Sequence, residues 1–331
     1  MSIISIDESK TPKKDQIISS IEKAVSNKLL KKGSRLPSIN SIRHKHKISR
    51  DTILKAYGEL KSRGIIQSVA GKGYYLIKEI IDTSHRIFLL FDEFNAFKEE
   101  LYNSFIANLN SCMEVDIFFH HFNYEVFRST IVKNAGNYSY YVIMPANLQN
   151  THLILDFLPQ NKVYILDQMH DDLRKYAAVY QEFKKGVYEG LKKVTHRIQQ
   201  YSKLVLVYNS VKEPKGILKG VQFFCTRNHI PLEVIEEVRS TTVCKGKLYM
   251  TLEDSSLLKI IKQMKMKKLK LIKEVGIITY NDTVLKEVVI NGITVISTNF
   301  SAMGKTLAKM ILTNSKQKIS NPISLIVRES I

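Results

Sequence analysis

The stretch that most constrains this chain is residues 36–76, LPSINSIRHKHKISRDTILKAYGELKSRGIIQSVAGKGYYL. Ser38 is placed to cap a short helix that runs to about residue 46. Residues 47–49 then make a tight turn. Ser49 is the natural N-cap of a second helix over residues 50–63, because its hydroxyl can accept a first-turn amide that has no partner inside the helix. Ile53, Ala56, Tyr57 and Leu60 recur at helical spacing and form the buried face. Gly64 stands where a helix ends in a left-handed residue. Two short apolar runs, 65–69 and 74–77, flank Ala70-Gly71-Lys72-Gly73, whose glycines suit a hairpin turn. Helix, turn, helix and a two-stranded wing make a winged helix-turn-helix. Upstream, Thr11 and Pro12 form a cap and first-turn signature. Ile17, Ile18, Ile21, Ala24, Val25 and Leu29 give an amphipathic first helix. Residues 1–10 read as a loose arm.

Charge is concentrated in the same region. Residues 1–80 hold 17 Lys and Arg against 7 Asp and Glu, more than half of the chain's net +19. A small head with this excess implies a polyanionic partner. The order of residues resembles the GntR family of bacterial regulators over about residues 11–77: the LPS opening of the second helix, SRDTILKAY on the third, Leu-x-x-x-Gly-Ile and a Gly-x-Gly wing. It departs at Ile39-Asn40, where many members carry Glu-Arg. The resemblance implies double-stranded operator DNA as the partner. The third helix is expected to enter the major groove by its first turns. Arg50 is the leading contact, since its planar guanidinium can fork onto guanine or a phosphate. Ser49, Asp51, Thr52 and Lys55 share that face. Ser38 presents a hydroxyl and amides to a phosphate, and Gly71, Lys72 and Gly73 form the wing tip. His44 and His46 stand two apart on a helix, do not face together, and are not expected to hold a metal.

Beyond residue 85 the pattern changes. Residues 78–85 read as a linker, which gives three segments: 1–77 winged helix, 78–85 linker, 86–331 a two-lobed domain. Short apolar strands at 87–91, 115–119, 140–144 and 163–166 alternate with helices at 97–111, 125–133 and 148–158, a parallel βαβ series. A long helix is expected over 176–200. The series then restarts with strands at 204–208, 234–238, 248–252 and 275–280 and helices at 213–228 and 255–264. Strand 293–297, helix 303–312 and strand 323–327 close it. The fold class is α/β: a winged helix-turn-helix followed by a two-lobed parallel domain with a cleft beyond the carboxyl ends of its strands.

The stretch VGIITYNDTVLKEVVINGITVISTNFSAMGKTLAKMIL, 275–312, and the closing PISLIVRES resemble the effector domain of LacI/GalR-type repressors, which is related to periplasmic sugar-binding proteins. The resemblance implies a sugar or sugar derivative as effector and a homodimer. It implies Asp167, at the end of VYILD, as acceptor from a sugar hydroxyl. Asp92 and Glu93 follow the first strand at the cleft edge. Where the family often has an arginine ahead of Gly220, this chain has Ile217, with Lys215 two residues before. The family's first Asp after the late strand is Asn281 here, followed by Asp282. The usual sugar clamp is thus altered, and a different sugar or a sugar phosphate held by Lys215 is an open alternative.

Three distant cysteines, Cys112, Cys225 and Cys244, suggest reduced thiols of a cytoplasmic protein. No run approaches the ~20 apolar residues of a membrane span, and no leader peptide is read at the start. There is no phosphate-binding loop, zinc-protease motif, nucleophile elbow or Cys-x-x-Cys pair, so neither an enzyme nor a cofactor is expected. A binding module without sequence-specific DNA contact, or an enzyme with a basic head, are the competing readings.

Overall fold

The computed structural model describes residues 3–6, 12–78 and 85–331. Thr11 and most of the expected linker (79–84) lie outside the described residues, as do residues 1–2 and 7–10 of the expected arm. Residues 3–6 correct the rest of that arm. Ile4 is buried in the head's core, and the Ser5 backbone bonds twice to the Ser20 hydroxyl.

The head is built from α1 (Lys13–Ser26), α2 (Ile39–His46), α3 (Arg50–Ser62), β1 (Ile66–Val69) and β2 (Gly73–Leu76). Ile17, Ile18, Ile21, Ala24 and Val25 of α1 pack with Ile53, Ala56, Tyr57 and Leu60 of α3 in one cluster. Leu29, expected in that stripe, lies past the helix end at Ser26 and is exposed. The wing strands pair antiparallel, Ile66 with Leu76 through Val69 with Gly73. Gly71 and Gly73 take φ of +69° and +109° there, a region that costs glycine nothing.

Lobe 1 carries β3 (His85–Phe91), α4 (Ala96–Ala107), β4 (Met113–Phe119), α5 (Tyr124–Asn134), β5 (Tyr140–Ile143), α6 (Thr151–Leu155), β6 (Val163–Asp167) and β7 (Ala177–Gln181). The chain then crosses to lobe 2: α7 (Phe183–Lys192), α8 (Thr195–Ile198), β8 (Lys203–Val207), α9 (Lys215–Arg227), β9 (Leu232–Ile235), β10 (Lys247–Thr251), α10 (Asp254–Met266), β11 (Val275–Tyr280), α11 (Val284–Val288) and β12 (Thr294–Thr298). It returns through α12 (Phe300–Leu312) and β13 (Lys318–Asn321) and crosses once more into β14 (Ile323–Ile326).

Each lobe is a six-stranded sheet, ordered β4-β3-β5-β6-β7-β13 and β9-β8-β10-β11-β12-β14. Every pairing in the first is parallel. In the second only β14 runs antiparallel, beside β12. Strands such as Ile87–Phe91 and Val163–Leu166 are buried on both faces, as expected where helices cover both sides of a parallel sheet. The helix expected over 176–200 is a correction: it divides into β7, α7 and α8. β13 and α11 were also not anticipated.

Among the described residues no helix is long and apolar enough to cross a membrane. Among them, likewise, no group of three or more His, Cys, Asp and Glu is placed to hold a metal ion.

Candidate nucleic-acid interface and ligand cleft

In the head, local chemistry sets the geometry. The Ser38 hydroxyl accepts from the Ser41 amide at 3.1 Å and starts α2. Lys47, at φ +50°, ends that helix in the left-handed region. The Ser49 hydroxyl accepts from the Thr52 amide at 3.2 Å and lies 2.8 Å from the Thr52 hydroxyl. The buried Tyr57 donates to the Pro37 carbonyl at 2.7 Å, tying α3 to the start of α2. With the apolar face of α3 locked, its opposite face is displayed. Arg50, Asp51 and Lys55 are exposed, and Thr52 is half-buried beside its cap. At the wing, Gly71 and Lys72 are exposed. Arg35 was missed by sequence reasoning. It bridges to Tyr75, and its guanidinium lies 3.4 Å from where a Cβ on Gly73 would be, so it adds a cation beside the wing turn. Its position directly before LPS was the signal available.

The cleft lies at the carboxyl ends of the strands of both lobes, as open α/β sheets require. Its inner chamber, about 100 Å³, is bordered by Asp92 and Glu93 after β3, Asp167 at the end of β6, Glu213 after β8, and Tyr280 and Asn281 at the end of β11. Phe97, Phe122, Phe183 and Phe300 supply apolar wall. Asp92 is buried, accepts from the Glu93 amide at 2.7 Å and forms an ion pair with Lys98, itself buried. Asp167 accepts from the Gln181 side chain at 2.6 Å, and Gln181 accepts from Tyr280 at 3.0 Å. This relay runs from lobe 1 through the end of β7 to lobe 2. Further bonds also join the lobes. Asn147 donates to the Ser210 and Glu213 carbonyls at 3.2 and 2.5 Å, and Lys212 reaches Glu93 at 3.5 Å.

The six effector residues expected from sequence are not equivalent. Asp92, Glu93, Asp167 and Asn281 line the inner chamber together. Lys215 is exposed and lines a larger adjoining space instead. Asp282 borders neither space, and both its oxygens are taken by Arg328, at 2.8 and 2.7 Å. Asn281 has φ +58°, and its side-chain oxygen is buried without a hydrogen-bond partner among the described residues. The buried Lys286 holds that turn by donating to the Tyr280 and Asn281 carbonyls at 2.8 and 2.6 Å. Gln168, Gln181, Lys212 and Glu213 border the site and were missed. Gln181 was hidden by the missed strand β7. The Glu213-Pro214 step after a strand was the available signal for Glu213.

Burial pushes the Asp167 carboxyl up to about 6 and the Glu213 carboxyl up to about 8. The Asn209 amide at 2.6 Å and Lys212 oppose the rise at Glu213, while Glu253 adds to it. Both folded values exceed the ordinary 3.8 and 4.5. At these two carboxyls the folded chain therefore holds more protons than the unfolded chain between about pH 4 and 8, and their contribution to stability falls as pH rises through that window. Replacing Glu213 with Gln is expected to flatten the fall between about pH 5 and 8 in urea titrations. An unchanged slope would show that Glu213 ionises normally.

Residues 13–76 match the model of the bacterial regulatory proteins, gntR family. Over 75 residues the chain is 35% identical to the HTH-type transcriptional repressor YtrA of Bacillus subtilis (strain 168), which is 22% of this chain and 58% of YtrA. The chain spans 14% to 58% of the length of the curated relatives it matches. The two-lobed domain has the fold of solved LacI-type regulators. One, from Alkaliphilus metalliredigens QYMF, is described as a periplasmic binding protein/LacI transcriptional regulator complexed with D-xylulofuranose. It aligns with TM-score 0.60 and 13% identity over 75% of this chain and 99% of its own. Another, a Lac repressor dimer bound to operator and an anti-inducer, aligns with TM-score 0.62 and 14% identity over 75% and 94%. These relatives and neighbours are named as transcriptional regulators, not enzymes.

Proposed function

We propose that this chain is a one-component transcription regulator. Residues 13–76 bind operator DNA in the duplex form, and the two-lobed domain binds a small polar molecule, of the sugar class, in its cleft. The observation that carries the reading is the exposed, capped first half of α3. Arg50 and Lys55 stand outward on a helix whose other face is fixed by Ile53, Tyr57 and the Tyr57–Pro37 bond. The wing adds Lys72 and Arg35. Asp92, Asp167 and Asn281 supply the polar groups that a sugar's hydroxyls would meet. The sugar ligand of the Alkaliphilus protein and the name of YtrA support a sugar effector and a repressor mode. The Lac repressor dimer on its operator supports a two-fold assembly with half-sites about 34 Å apart or a simple multiple of that.

The test is fluorescence anisotropy on duplexes tiled from the region upstream of the chain's own gene. Arg50→Ala is expected to cost about 1–3 kcal/mol on the preferred tile, roughly 5- to 150-fold, and to relax its preference over the other tiles. Lys72→Ala is expected to weaken all tiles alike and to lower the salt slope by about one. If the Arg50 variant kept both affinity and preference, α3 would not be the reading element.

A further inference from the structure

The inner chamber opens into a second, larger space. Between the lobe 1 loops at 147–150 and 168–172 and the lobe 2 helices α7 and α9 lies an outer chamber of about 860 Å³. It shares Gln168, Gln181, Phe183 and Pro214 with the inner one, so the two are continuous. Its size falls within the ~300–1,000 Å³ of cavities that hold small ligands.

Its charges do not cancel. Each carboxylate on its wall already has a partner: Asp171 meets Arg174 at 2.6 Å, Asp172 meets His152 at 2.6 Å, and Glu182 meets Lys185 at 3.6 Å. Lys184, Lys215 and Lys219 line the same wall, and among the described residues none has a carboxylate within ion-pair distance. Close packing of α7 on α9 holds these three together. A Cβ on Gly216 would lie 2.7 Å from the Phe183 Cβ, and one on Gly220 would lie 2.8 Å from the Lys184 carbonyl oxygen. The Phe223 ring under Lys184, at 5.1 Å, stiffens that side chain further.

A second, independent feature points to an occupant. Gln168 sits at the junction of the chambers, 7% exposed. Its side-chain amide makes no hydrogen bond among the described residues, which leaves a donor and an acceptor facing the cavity. The amide is not sealed from the cavity, so a polar ligand crossing the junction can take up both its donor and its acceptor in place of water.

We propose that the outer chamber binds the anionic end of the ligand, a phosphate monoester, among Lys184, Lys215 and Lys219, with Gln168 bonded to the polar body that continues into the inner chamber. This rests on the reading of the cleft as the ligand site and adds the ligand's class: a phosphorylated sugar rather than a neutral one. Three unneutralised ammonium groups suit a dianion better than a single carboxylate.

Calorimetry on the full chain would compare neutral hexoses and pentoses, their monophosphates, the corresponding sugar acids and inorganic phosphate. A monophosphate is expected to bind at least about tenfold tighter than its neutral parent, since a charge-assisted bond is worth roughly one factor of ten or more. The double variant Lys215→Gln, Lys219→Gln is expected to lose that advantage and to leave neutral-sugar binding and the melting temperature unchanged. Gln168→Leu is expected to weaken the monophosphate several-fold while inorganic phosphate is unaffected. Equal affinity for monophosphate and neutral parent overturns the proposal, as does an unaltered double variant. Sugar acids bound as tightly as monophosphates overturn the phosphate assignment. Duplex binding measured on the same preparation separates the two levels. Sequence-preferring duplex binding with no phosphate preference removes this inference alone, and loss of both removes the regulator reading as well.

Discussion

Replacing Lys98 with alanine is expected to destabilise the two-lobed domain by about 3–5 kcal/mol, the typical cost of stranding one partner of a buried ion pair. Lys98 and Asp92 have side chains only 7% and 6% exposed. The Asp92 carboxylate also accepts from the Glu93 amide. Without the ammonium group that carboxylate loses its counter-ion in a poorly solvated site. The paired variant Asp92→Asn, Lys98→Met is expected to recover most of the loss, because desolvation of both ions is removed together. Urea unfolding of the three proteins checks this. A loss below about 1 kcal/mol for Lys98→Ala would mean that the pair is open to water.

The second large effect is at Gly304. α12 crosses α4 so closely that a Cβ there would stand 2.4 Å from the Leu101 carbonyl oxygen and 2.8 Å from the Phe105 amide nitrogen. Both are backbone atoms of a helix and cannot rotate aside. Gly304→Ala is expected to cost about 3 kcal/mol, the upper end of ordinary overpacking, and Gly304→Leu to prevent lobe 1 from folding. Gly58 in α3 is the internal contrast. It is exposed and helical, and a Cβ on it would meet nothing within 4 Å. Gly58→Ala is therefore expected to stabilise the head by about 0.5–1 kcal/mol. Thermal melts that showed equal and small effects at both positions would contradict the α4–α12 packing.

The head was legible because its signals are local. Ser49, Gly64 and the Gly71-Lys72-Gly73 turn each act within a few residues, and the structure uses Ser49 and the wing turn as the spacing predicts. The two-lobed domain was legible in outline, since strands buried on both faces read as short apolar runs. β7 was not. Ala177–Gln181 lies inside its sheet between β6 and β13, so it lacks the alternation of a half-buried strand and merges with the helical pattern that follows. β13, Lys318–Asn321, is polar because it is an edge strand. Missing β7 concealed Gln181, the middle of the relay between the lobes. Asp282 failed for a different reason: spacing after β11 places it near the cleft, but Arg328, 46 residues later, captures both oxygens. Partners at that separation leave no trace in the local pattern. Gln168 borders a cavity formed by elements far apart in sequence, which only the assembled fold displays; Lys215 was named from the resemblance, and the fold places it on the wall of the outer chamber.

Coupling between the head and the cleft within one chain is the central claim, and a reciprocal titration tests it most directly. Duplex affinity is measured with and without saturating ligand, and ligand affinity with and without saturating duplex. Linkage requires the two ratios to be equal. A common factor of about 5–150, the range of typical coupling energies, is expected. Two ratios of one, with both partners still bound, would show a head and a cleft that work independently, and the chain would not be a ligand-controlled regulator.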